Sequence, residues 1–383
     1  MFERMARRVL VAGAVAAAVV LGLSTGASAE VRYTITDLGS GGAAGINDAG
    51  QVIVNRSTQP RIWDDGELIP LALEHSAMGY DINNSAQVVG DLYGGWTQAF
   101  LWEDGEVTLL GTLGGLVSKA RAINDAGQMV GWAHNADGDY RAFLYNDGVM
   151  SGLGTFGGPQ SWAFGINAAG DVVGQADTDE EPEPGGSPIR RAFLYRDGTM
   201  TAIAGGGSVA TDINDAGQIV GRNDRESYAF LWEDGETTVL QQGYYADPLA
   251  INNAGQVVGT SGAFESVTAR LWEDGETYDL IDLIPPDSGW ETLIGATDIN
   301  DAGQIVGGGV REDGNAHAFL LTPIPEPGAV LLLGVGGLAL FGRRRCRVLK
   351  KADPSRACKE AVWFRGQAPL PYGRGSVPGT AGE

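Results

Sequence analysis

The stretch Ile123-Asn124-Asp125-Ala126-Gly127-Gln128-Met129-Val130-Gly131 occurs in seven related copies along a chain of 383 residues. The copies begin at Ile46, Ile82, Ile123, Ile166, Ile213, Ile251 and Ile299. Their starts lie 36, 41, 43, 47, 38 and 48 residues apart. A unit that recurs about every 40 residues is typical of solenoids, propellers and other repeat arrays. The sequence therefore predicts an architecture built from one repeated element.

Each unit contains four strand-like runs, which the third unit illustrates with residues 118–124, 128–132, 141–145 and 149–153. Asn-Asp-Ala-Gly joins its first run to its second, and Asn146-Asp147-Gly148 joins its third run to its fourth. Glycine suits these turns because it adopts a positive φ without the steric cost that other residues meet. Four short strands in about 40 residues predict one blade of a β-propeller.

The third run of each unit is apolar at successive positions, as in Ala99-Phe100-Leu101-Trp102. Successive strand residues point to opposite faces, so both faces of such a sheet need to be covered. A blade packed between two other blades meets that need. The seventh unit lacks a fourth run, whereas residues 31–39 form a strand-like run that precedes the first unit. We therefore expect an all-β, seven-bladed propeller of four-stranded blades, which the N-terminal strand closes by completing the last blade.

The second repeat differs from the others at its first turn. Asn83-Asn84-Ser85-Ala86 has Ala where the other six copies have Gly. We expect this turn to be strained or to take a different shape.

The composition excludes some classes of function. The net charge is −22, and residues 30–322 alone hold 13 Lys and Arg against 43 Asp and Glu. A surface this acidic argues against nucleic acid, whose phosphates need basic contacts. Both cysteines, Cys346 and Cys358, follow the repeats, and the three histidines of the repeats are far apart in sequence. A zinc site is therefore not expected.

The two ends of the chain resemble export signals. Residues 1–29 combine Arg4, Arg7 and Arg8 with an apolar core and Ala27-Ser28-Ala29, which predicts a secretory signal cleaved after Ala29, with a retained anchor as the alternative. After the repeat domain, residues 328–342 are uncharged and apolar and precede Arg343-Arg344-Arg345. This run is short for a membrane span, but it can insert with the arginines on the cytoplasmic side. Residues 346–383 form a basic tail that we expect to be disordered.

The acidic residues of the repeats suggest two kinds of chemistry. Turns such as Asp212–Gly217 suggest calcium loops, but Ala216 stands where such a loop needs a fifth-position oxygen ligand. A hairpin turn stabilised by Asn and Asp side chains is the favoured interpretation, with calcium as the alternative. Paired carboxylates for hydrolysis must face one substrate, whereas these acids recur with the blades. No catalytic residues are predicted, and an extracellular polysaccharide hydrolase or lyase remains the alternative function.

The loops indicate where a ligand would bind. The connections within the first and second hairpins of each blade are short and uniform, so one face of the disc should be flat. The other connections vary, and we call the face that carries them the variable face. Aromatic residues in these connections are candidates for stacking on sugars or anchoring a protein partner, with cover of blade edges as the alternative. They are Tyr93, Trp96, Tyr244, Tyr245 and Trp290.

The repeats resemble the HAF family of extracellular repeats, which is named for a triplet found here as His317-Ala318-Phe319. The resemblance covers about residues 32–322 and rests on the recurring Ile-Asn-Asp-x-Gly-Gln-Val-Val-Gly and on Leu-Gly-Thr-Leu-Gly-Gly at residues 110–115. It implies a secreted bacterial protein to which no activity is assigned.

Residues 323–345 resemble a PEP-CTERM sorting signal, with Pro325-Glu326-Pro327, an apolar segment and the cluster Arg343, Arg344 and Arg345. The resemblance implies that an exosortase in the inner membrane of a Gram-negative bacterium recognises the segment. The protein would then be anchored transiently and reach the cell surface or the medium, where such proteins are associated with exopolysaccharide and biofilm. One departure is that this chain continues for 38 residues beyond Arg345.

Together these observations predict a secreted, non-catalytic binding or structural module of the cell surface or extracellular matrix. Exopolysaccharide and surface proteins are the expected partners.

Overall fold

The computed structural model describes residues 31–180, 188–243, 245–263 and 266–325. These residues form seven four-stranded antiparallel sheets arranged in a ring. We number the blades by their innermost strand in chain order, and the chain is a seven-bladed β-propeller, as the repeats predict.

The strands of the seven blades follow in chain order, from the innermost strand outward. Blade 1 contains β2 (Gly42–Ile46), β3 (Val52–Arg56), β4 (Gln59–Asp64) and β5 (Glu67–Pro70); blade 2 contains β6 (Ser76–Ile82), β7 (Val88–Tyr93), β8 (Thr97–Glu103) and β9 (Glu106–Leu109); blade 3 contains β10 (Gly114–Ile123), β11 (Met129–Asn135), β12 (Tyr140–Asn146) and β13 (Val149–Gly152); blade 4 contains β14 (Gly157–Ile166), β15 (Val172–Thr178), β16 (Arg190–Arg196) and β17 (Thr199–Ala202). Blade 5 contains β18 (Ser208–Ile213), β19 (Ile219–Asn223), β20 (Tyr228–Glu233) and β21 (Glu236–Gln242); blade 6 contains β22 (Asp247–Ile251), β23 (Val257–Ala263), β24 (Ser266–Glu273) and β25 (Glu276–Asp279), followed by the 3₁₀ turn Leu280–Leu283; blade 7 contains β26 (Trp290–Ile299), β27 (Ile305–Arg311), β28 (Ala316–Pro323) and β1 (Tyr33–Ser40).

The two ends of the propeller meet in blade 7. Strand β1 pairs antiparallel with β28, with Ile35 opposite Leu321 and Asp37 opposite Phe319. The first strand of the domain therefore fills the outer position that the seventh unit leaves open, which confirms the predicted closure. Strand β1 thereby covers the edge of β28, which would otherwise be exposed at the junction.

The core lies between the blades. Ala99 and Phe100 are adjacent on β8, and both are 0% exposed although they point to opposite faces of the sheet. The equivalent rings Phe143, Phe193, Phe230 and Phe319 are also fully buried. Burying such a side chain stabilises the fold by roughly 1.5–3 kcal/mol. Each blade therefore depends on both of its neighbours.

Every innermost strand carries a β-bulge at the same point, two residues before the Ile that starts the repeat. In blade 3 the pairing moves from Ala120 opposite Gly131 to Ala122 opposite Val130, so Arg121 has no partner residue. The bulge requires Gly131, because a Cβ there would lie 1.9 Å from the carbonyl oxygen of Lys119. In six blades the Gly that ends the Val-Val-Gly motif therefore leaves room for the bulge, whereas blade 1 has Val54 there. A bulge re-aims the side chain of its extra residue.

The short turns lie on one face, as expected, and the turn of the second repeat keeps the common shape. The Ala86 N–H donates to the Asn83 carbonyl at 3.0 Å, as Gly127 does to Asn124. Ala86 has a φ of +59°, in the left-handed region that favours glycine. The strain is therefore present at Ala86, whereas a change of turn shape is not.

Candidate functional site

The innermost strands surround a central channel with an opening on each face of the disc. On the flat face, the seven Ile-Asn-Asp turns line a polar depression of about 210 Å³. Toward the variable face lies a larger cavity of about 530 Å³, with residues from all seven innermost strands in its wall. This second volume lies within the range of about 300–1,000 Å³ that is common for small-molecule sites.

A closed ring of buried asparagines, which we call the Asn hub, stands between the two openings. Each Nδ2 donates to the backbone carbonyl of the hub Asn in the next blade, and Asn300 of blade 7 donates to Asn47 of blade 1. The seven N···O distances are 2.9–3.2 Å. The hub consists of Asn47, Asn83, Asn124, Asn167, Asn214, Asn252 and Asn300, each at most 6% exposed. One cyclic set of hydrogen bonds therefore explains why all seven repeats have Asn at this position.

The residue after each hub Asn forms a second, exposed ring. Six of its seven members donate a backbone N–H to the side chain of the next member. Asn84 also donates its amide to Asp48 and Asp125, and Asn253 does the same to Asp215 and Asp301. Ala168 interrupts the ring, because it offers the Asp125 N–H no side-chain acceptor. The depression on the flat face is therefore acidic, with its carboxylates largely used in contacts between blades.

Three aspartates in the innermost strands connect blades. The two carboxylate oxygens of Asp81 accept the N–H of Ile82 in its own blade and of Ile123 in the next blade, both at 2.8 Å. Asp212 and Asp298 accept the equivalent N–H groups of the blades that follow them. Burial raises the pKa of Asp81 to about 6 and that of Asp212 to about 7, and it raises the pKa of Asp298 well above its usual value.

The seven bulge residues line the cavity on the variable side, and we call them the channel wall. They occupy one structural position, but their chemistry differs in almost every blade. They are Ala44, Tyr80, Arg121, Phe164, Thr211, Leu249 and Thr297. The wall is consequently asymmetric although the scaffold is nearly symmetric, and asymmetry is what selective binding requires.

Arg121 packs against two aromatic rings, Tyr80 of the wall and Trp132 of β11. Its guanidinium carbon is 4.1 Å from the centre of the Tyr80 ring and 4.7 Å from that of Trp132. Phe164 packs edge-on against the other side of Trp132, with 5.8 Å between ring centres. Stacking of this kind orients a guanidinium without using its N–H donors.

Tyr80 is held in turn by Asp91, which is 0% exposed. The Tyr80 hydroxyl and the Lys119 ammonium each donate to Asp91 Oδ2 at 3.0 Å. Burial raises the pKa of Asp91, and the contact with Lys119 opposes that shift. Asp91 Oδ2 therefore has two donors, whereas its buried Oδ1 has no hydrogen-bond partner, and the positive charge of Arg121 also favours the ionised carboxylate.

Most other polar groups of the wall are occupied in contacts between blades. Thr211 donates its hydroxyl to the Pro248 carbonyl at 2.7 Å, and Thr297 donates to the Ala43 carbonyl at 3.1 Å. Asn55 bonds in both directions with the backbone of Gly79. These residues join neighbouring blades, whereas Arg121 makes no polar contact within the described residues.

The structure separates the aromatic residues predicted for the variable face. Trp96 is 60% exposed in the loop between β7 and β8, and Tyr93 at the end of β7 is 40% exposed. Tyr245 is also 40% exposed, but it belongs to the connection before blade 6, far along the ring from Trp96. Tyr244 lies outside the described residues. The aromatic candidates therefore form a pair on blade 2 rather than one continuous surface.

Trp290 corrects the expectation of an exposed aromatic at that position. It is 6% exposed and packs edge-on against Phe319 with 5.9 Å between ring centres, while Arg311 covers its other face. Trp290 begins β26 instead of standing in a loop, and its ring covers Gly309 of the neighbouring strand. It is a core residue and drops out of the candidate surface.

The remaining predicted positions fall mostly beyond the described residues. Ala27 and Ala29 of the signal, Glu326 and Pro327, and the cluster Arg343, Arg344 and Arg345 all lie outside them, as do the apolar segment and the basic tail. No helix within the described ranges is long and apolar enough to span a membrane. In the same ranges no group of three or more His, Cys, Asp or Glu is placed to hold a metal ion. The Asp212–Gly217 turn uses the side chains of Asp212 and Asn214 for contacts with blade 6.

Sequence reasoning missed Arg121, since it treated the residues before each repeat motif only as a strand. A signal was nevertheless present. When the seven copies are aligned on Asn, the position three residues earlier contains Ala, Tyr, Arg, Phe, Thr, Leu and Thr, beside an Asn that never changes. What the sequence did not contain was the bulge that turns this position into the channel.

Comparison with known proteins supports the fold and the sorting signal. The PEP-CTERM protein-sorting motif matches residues 323–345, so the chain carries that signal for exosortase recognition and, with it, the mark of an exported surface protein of Gram-negative bacteria. No curated protein matches the chain in sequence.

Among solved structures, the β-propeller domain of the trilobed protease from Pyrococcus furiosus is similar, with 10% identity, a TM-score of 0.52, and coverage of 77% of this chain and 98% of that one. TolB from Acinetobacter baumannii matches with 11% identity and a TM-score of 0.40, over 76% of this chain and 63% of its own length. Acylaminoacyl peptidase from Pyrococcus horikoshii matches with 13% identity and a TM-score of 0.48, over 79% and 54%. The chain thus spans less than two thirds of the latter two proteins. At these identities the likeness concerns the propeller fold alone.

Proposed function

We propose that this protein is an exported, non-catalytic binding module of the cell surface or extracellular matrix, and that its variable face contacts exopolysaccharide or a surface protein. The observation that carries the proposal is Trp96, a large aromatic ring that is 60% exposed beside Tyr93 on one hairpin of that face. Exposed aromatic rings stack on sugar rings and anchor protein partners. The sorting motif at residues 323–345 and the resemblance of the repeats to extracellular HAF repeats support a role outside the cell.

The location of the Trp96 hairpin favours a ligand that contacts both the variable face and the channel. Lys119 lies 6.0 Å from the centre of the Tyr93 ring and is bound to Asp91, which also holds Tyr80 of the channel wall. The exposed pair is therefore connected to the channel wall through two buried polar contacts. An extended chain such as a polysaccharide suits a surface of this shape.

Binding of the whole protein to polysaccharide from cells that produce it tests the proposal. Trp96→Ala should weaken binding by on the order of tenfold, since stacking on an aromatic ring contributes roughly 0.5–1.5 kcal/mol beyond the apolar area it buries. Leu116→Ala is the matched control, because Leu116 is 54% exposed at the same end of blade 3 but is not aromatic. Absence of saturable binding to polysaccharide and surface proteins, or full binding by Trp96→Ala, would contradict the proposal.

The alternative of an extracellular hydrolase or lyase finds less support in the geometry. The buried aspartates with raised pKa are the natural acid–base candidates. However, Asp81, Asp212 and Asp298 each accept backbone N–H groups from two blades, which uses both oxygens in holding the ring together. A hydrolase would instead need two carboxylates facing one substrate.

We also propose that an exosortase-type enzyme processes the sorting segment before release. The basis is the motif at residues 323–345 with its Arg cluster. The intact mass of the exported protein should correspond to a chain that begins near Glu30 and has lost the Arg cluster. A released protein that still carries residues 343–383 would contradict processing of this kind.

A further inference from the structure

Arg121 is the one charged side chain that lines the cavity on the variable side of the channel, within the part of the chain that the structure describes. Its Nε is buried and has no hydrogen-bond partner. No ion pair or hydrogen bond of the guanidinium is found among the described residues either, although its charge acts on nearby Asp91. An arginine of this kind has donors available for a ligand, and leaving them unused in a partly buried place is costly.

The surroundings of Arg121 fix its plane. Its guanidinium carbon lies 4.1 Å from the centre of the Tyr80 ring and 4.7 Å from that of Trp132, which is 8% exposed. Because the guanidinium packs against two rings, its N–H groups point along its own plane and away from the rings. A carboxylate matches that geometry, since its two oxygens accept two parallel N–H bonds from one guanidinium.

The rest of the cavity is suited to an uncharged body attached to the carboxylate. Phe164, Leu249 and Met78 provide apolar surface, and Thr211 and Thr297 are already bonded to backbone carbonyls. The volume of about 530 Å³ has room for a six-membered ring together with water. The wall therefore fits a ring held by its face or edge and oriented by one anionic group.

Blade 1 provides the entrance. Its innermost strand β2 has only five residues, like β22 of blade 6, whereas β10 and β14 have ten. Gly42, Ala43 and Ala44 line the cavity there, and nothing lies within 4 Å of the position a Cβ would take on Gly42. A ligand can consequently reach Arg121 from the variable face, across small side chains.

We propose that the channel cavity binds a monocarboxylate carried on a six-membered ring, with the carboxylate paired to Arg121 and the ring against Phe164 and Leu249. Sugar acids and apolar ring acids share this chemistry. The proposal deepens the binding role proposed above and uses from it only the variable face as the side of entry.

Calorimetric titration of the whole protein with D-glucuronate and with benzoate tests the site, with D-glucose and benzyl alcohol as neutral counterparts. At least one acid should bind at least tenfold more tightly than its counterpart, and whichever acid binds identifies the kind of ring. Arg121→Gln should weaken that binding by on the order of tenfold to a hundredfold, as expected for two charged hydrogen bonds. A uronate trisaccharide, titrated in parallel, distinguishes a free sugar acid from the end of an acidic polysaccharide.

Two further variants keep the test independent of folding. Arg61→Gln is the matched control, because Arg61 also has a buried Nε without a partner but lies on β4, away from the channel. It should bind like the unchanged protein. Ala44→Phe leaves Arg121 intact and fills the cavity from blade 1, two blades away along the ring, so it should abolish binding. Acids that bind no better than their neutral counterparts, or full affinity in Arg121→Gln or Ala44→Phe, overturn the proposal.

The two tests fail separately. If no acid binds in the channel but polysaccharide still binds at Trp96, the channel ligand is rejected and the proposed function stands. If uronate binds but no polysaccharide or protein partner does, the channel site is supported and the proposed role of Trp96 and Tyr93 is rejected.

Discussion

The Asn hub and the channel wall are formed by the same strands, only three residues apart, yet they differ in every respect. All seven hub residues are Asn, buried, and bonded to the next blade. The seven wall residues range from Ala to Arg and face a cavity. The difference teaches that the repeat keeps the Asn that closes the ring constant and lets the residue three positions earlier vary, even where, as at Thr211 and Thr297, that residue also bonds to the next blade.

The largest effect should come from damage to the hub. Asn214 donates to the Asn252 carbonyl and to Gln218, and its Oδ1 accepts the Gln218 N–H. Asn214→Asp keeps the acceptor, removes both donors and buries a charge, so it should lower the free energy of unfolding by about 3–5 kcal/mol. Urea denaturation measures this value. A loss below about 1 kcal/mol would mean that the ring of hydrogen bonds does not hold the blades together.

The buried aspartates should make the unfolding free energy of the protein depend on pH. The pKa of Asp212 is about 7 in the folded protein and near 3.8 when unfolded, because burial disfavours its charge. The folded state therefore takes up a proton that the unfolded state does not, and the contribution of Asp212 to stability rises as pH falls from 8 toward 4. Asp212→Asn should flatten the dependence of unfolding free energy on pH between 5 and 7, by up to on the order of 1 kcal/mol per pH unit.

Asp287 provides the control for that experiment, because it is exposed in the loop before β26. Asp287→Asn removes the same charge from the whole protein and should leave the pH dependence unchanged. An equal slope in Asp212→Asn and the unchanged protein would show that Asp212 does not titrate in this range.

The outer ring offers a gain in stability. Ala168 lies between Asp125 and Asp215, as Asn84 lies between Asp48 and Asp125. Ala168→Asn supplies an acceptor for the Asp125 N–H and an amide between two carboxylates, and should add about 0.5–1.5 kcal/mol. Ala168→Asp, the comparison variant, places a third carboxylate in line and should add less. Thermal unfolding of both variants measures the two changes in stability. Equal changes would mean that the amide bridge contributes nothing.

The smallest effect should come from the channel wall. Leu249→Thr introduces the residue that blades 5 and 7 have at this position, and its stability should stay within about 1 kcal/mol of the unchanged protein. Denaturation alongside Asn214→Asp gives the contrast between wall and hub directly. A large loss at Leu249 would show that the wall is part of the core and is not free to vary.

The sequence was most informative where one physical need recurs in every blade. Seven copies of the Ile-Asn motif gave the number of blades, and alternating apolar residues such as Ala99 and Phe100 showed that both faces of a sheet are covered. The missing strand after residue 321 predicted the pairing of β1 with β28. Trp290 was misplaced because its sequence neighbours look like a loop, whereas β26 begins there and the ring packs on Phe319.

By itself, the sequence determined the number of blades, the order of strands and the sorting signal at residues 323–345, because each depends on residues that are close together in the chain or repeat along it. Only the tertiary structure decided which side chains meet in the channel. Arg121, Tyr80 and Phe164 belong to three blades, and they come together because a bulge in each innermost strand turns one residue inward and closure of the ring sets those residues side by side. That proximity arises from contacts between units, which no single repeat encodes.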